Sequence, residues 1–126
     1  MSGATDRPVD LSVALRWLGG DRQLLLELVG IFVDEGPKRL AALRASMTAV
    51  DLQQVERVAH SLKGSAAILG AQRLQATALA LEEATRDGRP ENGVDLVAQI
   101  VREVERVLAF FADPGWRDRL DLEAAP

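Results

Sequence analysis

His60 is the only histidine in the 126-residue sequence, and its neighbours suggest chemistry at its ring. Lys63 follows at i+3 and Gly64 at i+4, so on a helix both would lie beside the imidazole. A glycine in a helix interior costs about 1 kcal/mol relative to alanine, which points to a purpose other than folding. Without a side chain, Gly64 would leave the ring uncovered and let another protein's backbone approach. A neutral imidazole is a nucleophile, Lys63 would supply a cation, and phosphoryl is the anion that fits both.

The residues around His60 predict a helix with one buried stripe. The apolar positions recur at alternating steps of three and four, as on a helix face; they are Leu52, Val55, Ala59, Leu62, Ala66 and Leu69. His60 lies one step off that stripe, and its imidazole should therefore point sideways towards solvent. The helix surface around it should carry Gln53, Glu56, Arg57, Lys63, Gly64 and Ala67.

The run AHSLKGSAAILGAQRL, which begins at Ala59, resembles the signature of histidine-containing phosphotransfer (HPt) domains. The resemblance covers roughly residues 10 to 112. It implies that His60 carries a phosphoryl group on Nε2 and that Lys63 and Gly64 assist. It also implies a relay between receiver-domain aspartates, with response-regulator receivers and a hybrid histidine kinase as partners. Mg²⁺ is expected in the partner receiver, and the chain should need no cofactor of its own.

Glu82 follows His60 by twenty-two positions, where the family tends to have a Gln or a Glu. The resemblance implies that Glu82 accepts a hydrogen bond from Nδ1–H, which would fix the tautomer and leave the Nε2 lone pair outward. Many relay proteins have Gln at this position. The carboxylate resembles that of the phosphotransfer domain of chemotaxis histidine kinases, so the subfamily stays open.

Composition limits the other classes of function. A 126-residue chain that is 48% hydrophobic is the size of one domain with one core. The net charge of −4 and the lack of a basic cluster argue against nucleic-acid binding. There is no cysteine for disulfides or thiolate metal sites. The apolar runs are too short for a membrane span, and the N-terminus lacks the apolar core of a signal peptide. A cytoplasmic monomer is expected.

Enzymatic alternatives find little support in the motifs. Helical bundles hold di-metal sites with two Glu-x-x-His motifs, but this chain has a single histidine. Neither a hydrolase G-x-S-x-G motif nor a phosphate-binding glycine loop is present. We therefore expect a phosphoryl carrier without kinase activity or a nucleotide site. Two alternatives remain, namely an HPt-like interaction module that carries no phosphoryl, and a phosphotransfer domain detached from a hybrid or chemotaxis-type kinase.

The periodicity predicts an all-α fold, an antiparallel up-down-up-down four-helix bundle with a short N-terminal helix covering one end. Capping residues, glycines and prolines predict five helices: a covering helix from Asp10 or Ser12 to Leu18, and bundle helices over Asp21–Met47, Asp51–Gly70, Gln72–Asp87 and Asn92–Asp113. Gly36-Pro37 should bend the second helix without breaking it. The inward residues of that helix should be Leu24, Leu25, Leu28, Ile31 and Phe32. Those of the last helix should be Val94, Val97, Val101, Val104, Leu108 and Phe111.

The domain boundaries follow from these helices: a flexible N-terminus over 1–9, the bundle over 10–113, and a tail over 114–126. Trp116, Leu120 and Leu122 are the apolar residues of the tail, and the sequence leaves open whether it packs on the bundle.

A partner surface is predicted around His60. Val13, Trp17 and Leu79 are apolar residues that the core does not obviously need, although Val13 and Trp17 could instead cover the end of the bundle. The polar and small residues predicted to border the histidine and contact a receiver are Gln53, Arg57, Ala67 and Arg86.

Overall fold

The computed structural model describes residues 7–89 and 92–124, with side chains described as far as Leu120. These residues form α-helices and contain no β-strand. The helices are α1 (Leu11–Trp17), α2 (Arg22–Thr48), α3 (Leu52–Leu69), α4 (Gln72–Arg86), α5 (Gly93–Ala112) and α6 (Gly115–Ala124).

Helices α2 to α5 close into a four-helix bundle, which confirms the predicted fold class. Helix α3 packs between α2 and α4, and α5 packs between α4 and α2. Short connections join them, so consecutive helices run antiparallel. The largest fully buried side chains come from all four helices and from α6; they are Leu25, Leu43, Leu62, Leu74, Leu81, Ile100 and Leu120, with Val55, Val104 and Val107.

Aspartate residues cap the N-termini of the first three helices. Asp10 Oδ1 accepts from the backbone N–H groups of Ser12 and Val13, so Asp10 rather than Ser12 caps α1. Asp21 and Asp51 accept in the same way at the starts of α2 and α3. Each carboxylate satisfies amides that have no partner inside the helix. The three sequence-predicted starts are thus confirmed.

Gly70 ends α3 and ties it to the beginning of α1. Its φ of +73° favours glycine, and a Cβ at this position would lie 2.1 Å from the carbonyl oxygen of Asp10. The backbone N–H of Asp10 donates to the Gly70 carbonyl at 2.8 Å. This close backbone contact holds α1 at the end of α3, beside the two-residue connection to α4.

Helix α2 is one continuous element from Arg22 to Thr48 with Pro37 inside it, as predicted. Its inward face is narrower than predicted, because Leu24 and Ile31 are 38% and 54% exposed. The buried residues of its first half are Leu25, Val29 and Phe32. Apolar residues occupy more of the circumference of α2 than its two bundle neighbours can cover. The same correction applies to Val94, which lies in the first turn of α5 and is 71% exposed.

The C-terminal segment packs back onto the domain as helix α6. Trp116 and Leu120 are buried, and the Trp116 ring meets that of Phe111 edge to face at 5.1 Å. Helix α6 also contacts α1. The predicted tail is therefore part of the folded body, while the side chain of Leu122 lies outside the described residues. At the other end Val9 is buried, so the ordered body begins before residue 10; residues 1–6 lie outside the described residues.

Candidate functional site

His60 stands on the middle of α3 with its side chain 68% exposed. Its neighbours Ala59 and Leu62 are fully buried and fix the rotation of the helix. Beside the ring, a Cβ built on Gly64 would meet no atom of another element within 4 Å. The helix surface next to the imidazole is therefore flat and open, as the spacing of His60 and Gly64 predicts.

The side chain of Glu82 approaches the His60 ring from the adjacent helix α4. The short Gly70-Ala71 connection brings α4 back alongside α3, and the Glu82 side chain is only 4% exposed between them. One carboxylate oxygen, Oε2, lies 2.7 Å from Nδ1 of His60. The other, Oε1, accepts from the Lys63 ammonium at 2.6 Å. The structure thus brings together the three residues that the sequence singled out, His60, Lys63 and Glu82.

Its hydrogen bonds keep the buried carboxylate ionised. The bond from Lys63, followed by the bond from His60, lowers the pKa of Glu82 although burial opposes the charge. An ionised carboxylate only accepts hydrogen bonds, so Nδ1 of His60 must carry the proton. In a neutral ring the lone pair is then on Nε2, which is the nitrogen directed away from Glu82.

Arg86 closes the site on the side of the α3 N-terminus. Its Nη2 donates to Glu82 Oε2 at 3.0 Å and its Nε donates to Glu56 Oε2 at 3.1 Å. The nearby Glu56 carboxylate raises the pKa of Arg86. These side chains line an open depression, whose full lining is Gln53, Glu56, Arg57, His60, Glu82 and Arg86.

Lys63 differs in one respect from its predicted place. The sequence suggests an ammonium free to meet an anion at the imidazole, whereas in the structure it is hydrogen-bonded to Glu82. A buried carboxylate in reach of a flexible ammonium group explains this pairing, because an uncompensated buried charge is costly. The lysine side chain is still 27% exposed.

The predicted partner residues fall into two groups. Gln53, Arg57 and Arg86 line the depression with His60. Among the others, Trp17 is 65% exposed and Leu79 is 39% exposed, while Val13 and Ala67 are half-buried.

Two features of this region were not predicted. Glu56 was placed on the histidine's face, but its pairing with Arg86 needs the register between α3 and α4, which the sequence alone does not give. The second feature is a shallow apolar groove between α2 and α3, termed the α2–α3 groove, lined by Leu28, Ile31, Phe32, Arg39, Ser65, Ile68 and Leu69. The surplus of apolar residues on α2 was the available signal for it.

Among the side chains of residues 7–89 and 92–120, no group of three or more His, Asp or Glu is arranged to hold a metal ion. No helix in the same part of the chain is long and apolar enough to cross a membrane.

Comparisons with known proteins agree with this geometry. A comparison with curated proteins gives no significant match. The fold is similar to the crystal structure of histidine-containing phosphotransfer protein B (HptB) from Pseudomonas aeruginosa PAO1, with a TM-score of 0.79 and 28% sequence identity over 89% of this chain and 97% of that one. The family model of the Hpt domain matches residues 27–110, which include the histidine and its whole surroundings. The chain therefore belongs to the Hpt domain family and acts in histidine phosphotransfer within phosphorelays.

Proposed function

We propose that His60 carries the phosphoryl group on Nε2, receiving it from the aspartyl phosphate of one receiver domain and passing it to the aspartate of another. The observation that carries this proposal is the 2.7 Å contact between Nδ1 and the buried Glu82 carboxylate. It holds a largely exposed imidazole in one tautomer, with its nucleophilic nitrogen outward.

The transfer needs little machinery from this chain. The Nε2 lone pair attacks phosphorus, an N–P bond forms, and the P–O bond to the aspartate breaks with its electron pair leaving on the carboxylate. The ring then bears positive charge while Nδ1–H stays in place, and the adjacent Glu82 carboxylate stabilises it. Attack on phosphorus by the second receiver's aspartate reverses these bond changes and restores the neutral ring.

Lys63 and Gly64 support the reaction in different ways. Lys63 neutralises Glu82 in the free protein, and its partial exposure lets it turn towards a phosphoryl group on the ring. Gly64 keeps the approach to Nε2 open.

The partners that suit this site are response-regulator receiver domains and the receiver of a hybrid histidine kinase. A receiver would supply Mg²⁺ and its acidic pocket, which neutralise charge on the moving phosphoryl group. We propose that it covers His60 and Gly64 together with exposed Leu79 and the α2–α3 groove, and that Arg57 faces its acidic pocket. This face must be free for each partner in turn, which fits a monomer. The compartment that the composition predicts for it is the cytoplasm.

No kinase or nucleotide site of its own is part of this proposal, in which the chain is a carrier rather than an enzyme. Two alternatives remain distinct. A pure interaction module would bind receivers without accepting phosphoryl. A phosphotransfer domain from a chemotaxis-type kinase, suggested by the carboxylate at Glu82, would take phosphoryl directly from an ATP-dependent kinase domain.

The test is transfer from a ³²P-labelled receiver to the chain, followed by acid and base treatment. We expect an acid-labile, base-stable label in the wild type and no label in His60→Gln. The substituted side chain is mostly exposed, so melting of the variant should be nearly unchanged. Label retained in His60→Gln would refute the assignment of His60, and binding without any labelling of the wild type would favour the interaction module.

A further inference from the structure

The guanidinium of Arg86 lies between two carboxylates from different helices. Its Nη2 donates to Glu82 and its Nε to Glu56, at 3.0 and 3.1 Å. Glu56 precedes His60 by one turn of α3, and Arg86 follows Glu82 by one turn of α4. The four side chains therefore form a continuous series of contacts along the open depression, from Glu56 through Arg86 and Glu82 to His60.

The same oxygen of Glu82 joins the guanidinium to the imidazole. Oε2 accepts from Nη2 of Arg86 and from Nδ1 of His60, so the two donors are immediate neighbours. A single oxygen atom thus links the Arg86 cation to the ring that would carry the phosphoryl group. Its side chain is 57% exposed and has room to turn.

Stability does not account for the Glu56–Arg86 pair. The side chains are 34% and 57% exposed, and ion pairs at such positions contribute little to folding. The effect of the pair is that the guanidinium of Arg86 is held by Glu56. A phosphoryl group offers oxygens that a planar guanidinium binds more strongly than a single carboxylate, but Arg86 must first give up its bond to Glu56.

We propose, resting on the phosphoryl-carrying role of His60, that Glu56 sets how much phosphoryl the site stores by competing with the phosphoryl group for Arg86. In the free protein the guanidinium is shared between Glu56 and Glu82. In the phosphorylated protein it turns to the phosphoryl oxygens, and the lost contact with Glu56 reduces the gain. Glu56 therefore keeps the phosphohistidine less stable than Arg86 alone would make it, which favours onward transfer.

The test is the equilibrium between phosphorylated receiver and phosphorylated chain, measured with one receiver and ³²P label for all variants. Glu56→Gln should shift the ratio towards the phosphorylated chain by about threefold, the scale of an exposed ion pair. Arg86→Ala should shift it in the opposite direction. In the Arg86→Ala background, adding Glu56→Gln should change the ratio much less, because no guanidinium is left to release.

Glu83→Gln is the matched control, since it removes one negative charge from an exposed position on α4. It should leave the ratio nearly unchanged. The inference is overturned if Glu56→Gln has no effect, or if its effect is as large without Arg86, since charge alone would then explain it. Absence of label in the wild type would instead refute the function proposed for His60, and this inference with it.

Discussion

Replacement of Glu82 by glutamine should reveal how the buried carboxylate holds the site together. The wild-type carboxylate accepts three hydrogen bonds, from His60, Lys63 and Arg86. Glutamine has nearly the same shape but only one oxygen, and its NH₂ group would face a donor. At least one of the three partners must turn away.

The expected loss follows from opposing contributions. A hydrogen bond to a charged group contributes about 1.5–3 kcal/mol, whereas keeping a carboxylate away from water costs several kcal/mol. Lys63 and Arg86 are 27% and 57% exposed, so both can regain water when they are released. We therefore expect Glu82→Gln to lower the free energy of unfolding by about 2 kcal/mol at pH 7.

The lowered pKa of Glu82 also predicts how the stability difference between wild type and variant changes with pH. The folded pKa of Glu82 is lowered below the ordinary value of 4.5, chiefly by Lys63, so the ionised carboxylate stabilises the fold above that value. The contribution is lost as the pH falls through the lower, folded pKa. The difference between wild type and Glu82→Gln should shrink as the pH falls below about 4.5.

Urea denaturation of both proteins, followed by circular dichroism at pH values from 7 down to the limit of folding, measures this difference directly. Other acidic groups titrate in both proteins and cancel. A variant as stable as the wild type at pH 7, or a difference that does not shrink in acid, would show that the three bonds to Glu82 do not stabilise the fold as reasoned.

Three further substitutions test separate parts of the molecule. Lys63→Ala should slow transfer or shorten the lifetime of the phosphohistidine while calorimetric receiver binding persists; unchanged transfer kinetics would contradict its role. Leu79→Asp should weaken receiver affinity in calorimetric titration by more than about 1 kcal/mol with little loss of stability; equal affinity, or unfolding, would place the docking face elsewhere around His60. Val50→Gly should raise the free energy of unfolding by about 0.5–1 kcal/mol, since Val50 has a φ of +55° that a β-branched residue adopts with strain. The Val50→Ala variant controls for loss of the side chain, and an equal or lower stability of the glycine variant would argue against that strain.

The helices could be predicted from the sequence because their ends are marked by local chemistry. Asp10, Asp21 and Asp51 cap the helices that they precede, and Gly70 has the positive φ expected after α3. The inward face of α2 could not be predicted as well. Its apolar residues cover more than one face, and only the positions of α3 and α5 decide that Ile31 is left in solvent.

At the site, helical spacing was enough to predict the exposed position of His60. Predicting the residues that contact it needed the family pattern and the alignment of two helices. Glu82 was found through the family pattern, and the structure adds that it is buried and shared. The contact between Glu56 and Arg86 joins residues thirty positions apart. Such contacts depend on how α3 and α4 are aligned, and no local signal encodes that alignment.

All the charged and nucleophilic groups of the depression belong to one helical hairpin. Glu56 and His60 lie on α3, Glu82 and Arg86 lie on α4, and only Gly70 and Ala71 separate the two helices. The α2–α3 groove, by contrast, takes three of its five apolar lining residues from α2. In the docking proposed above, the choice of receiver would therefore depend on α2 as well as on the reactive hairpin. Replacing exposed residues of α2 by those of a homologous protein, with the α3–α4 hairpin left unchanged, should redirect the relay to the receivers of that homologue.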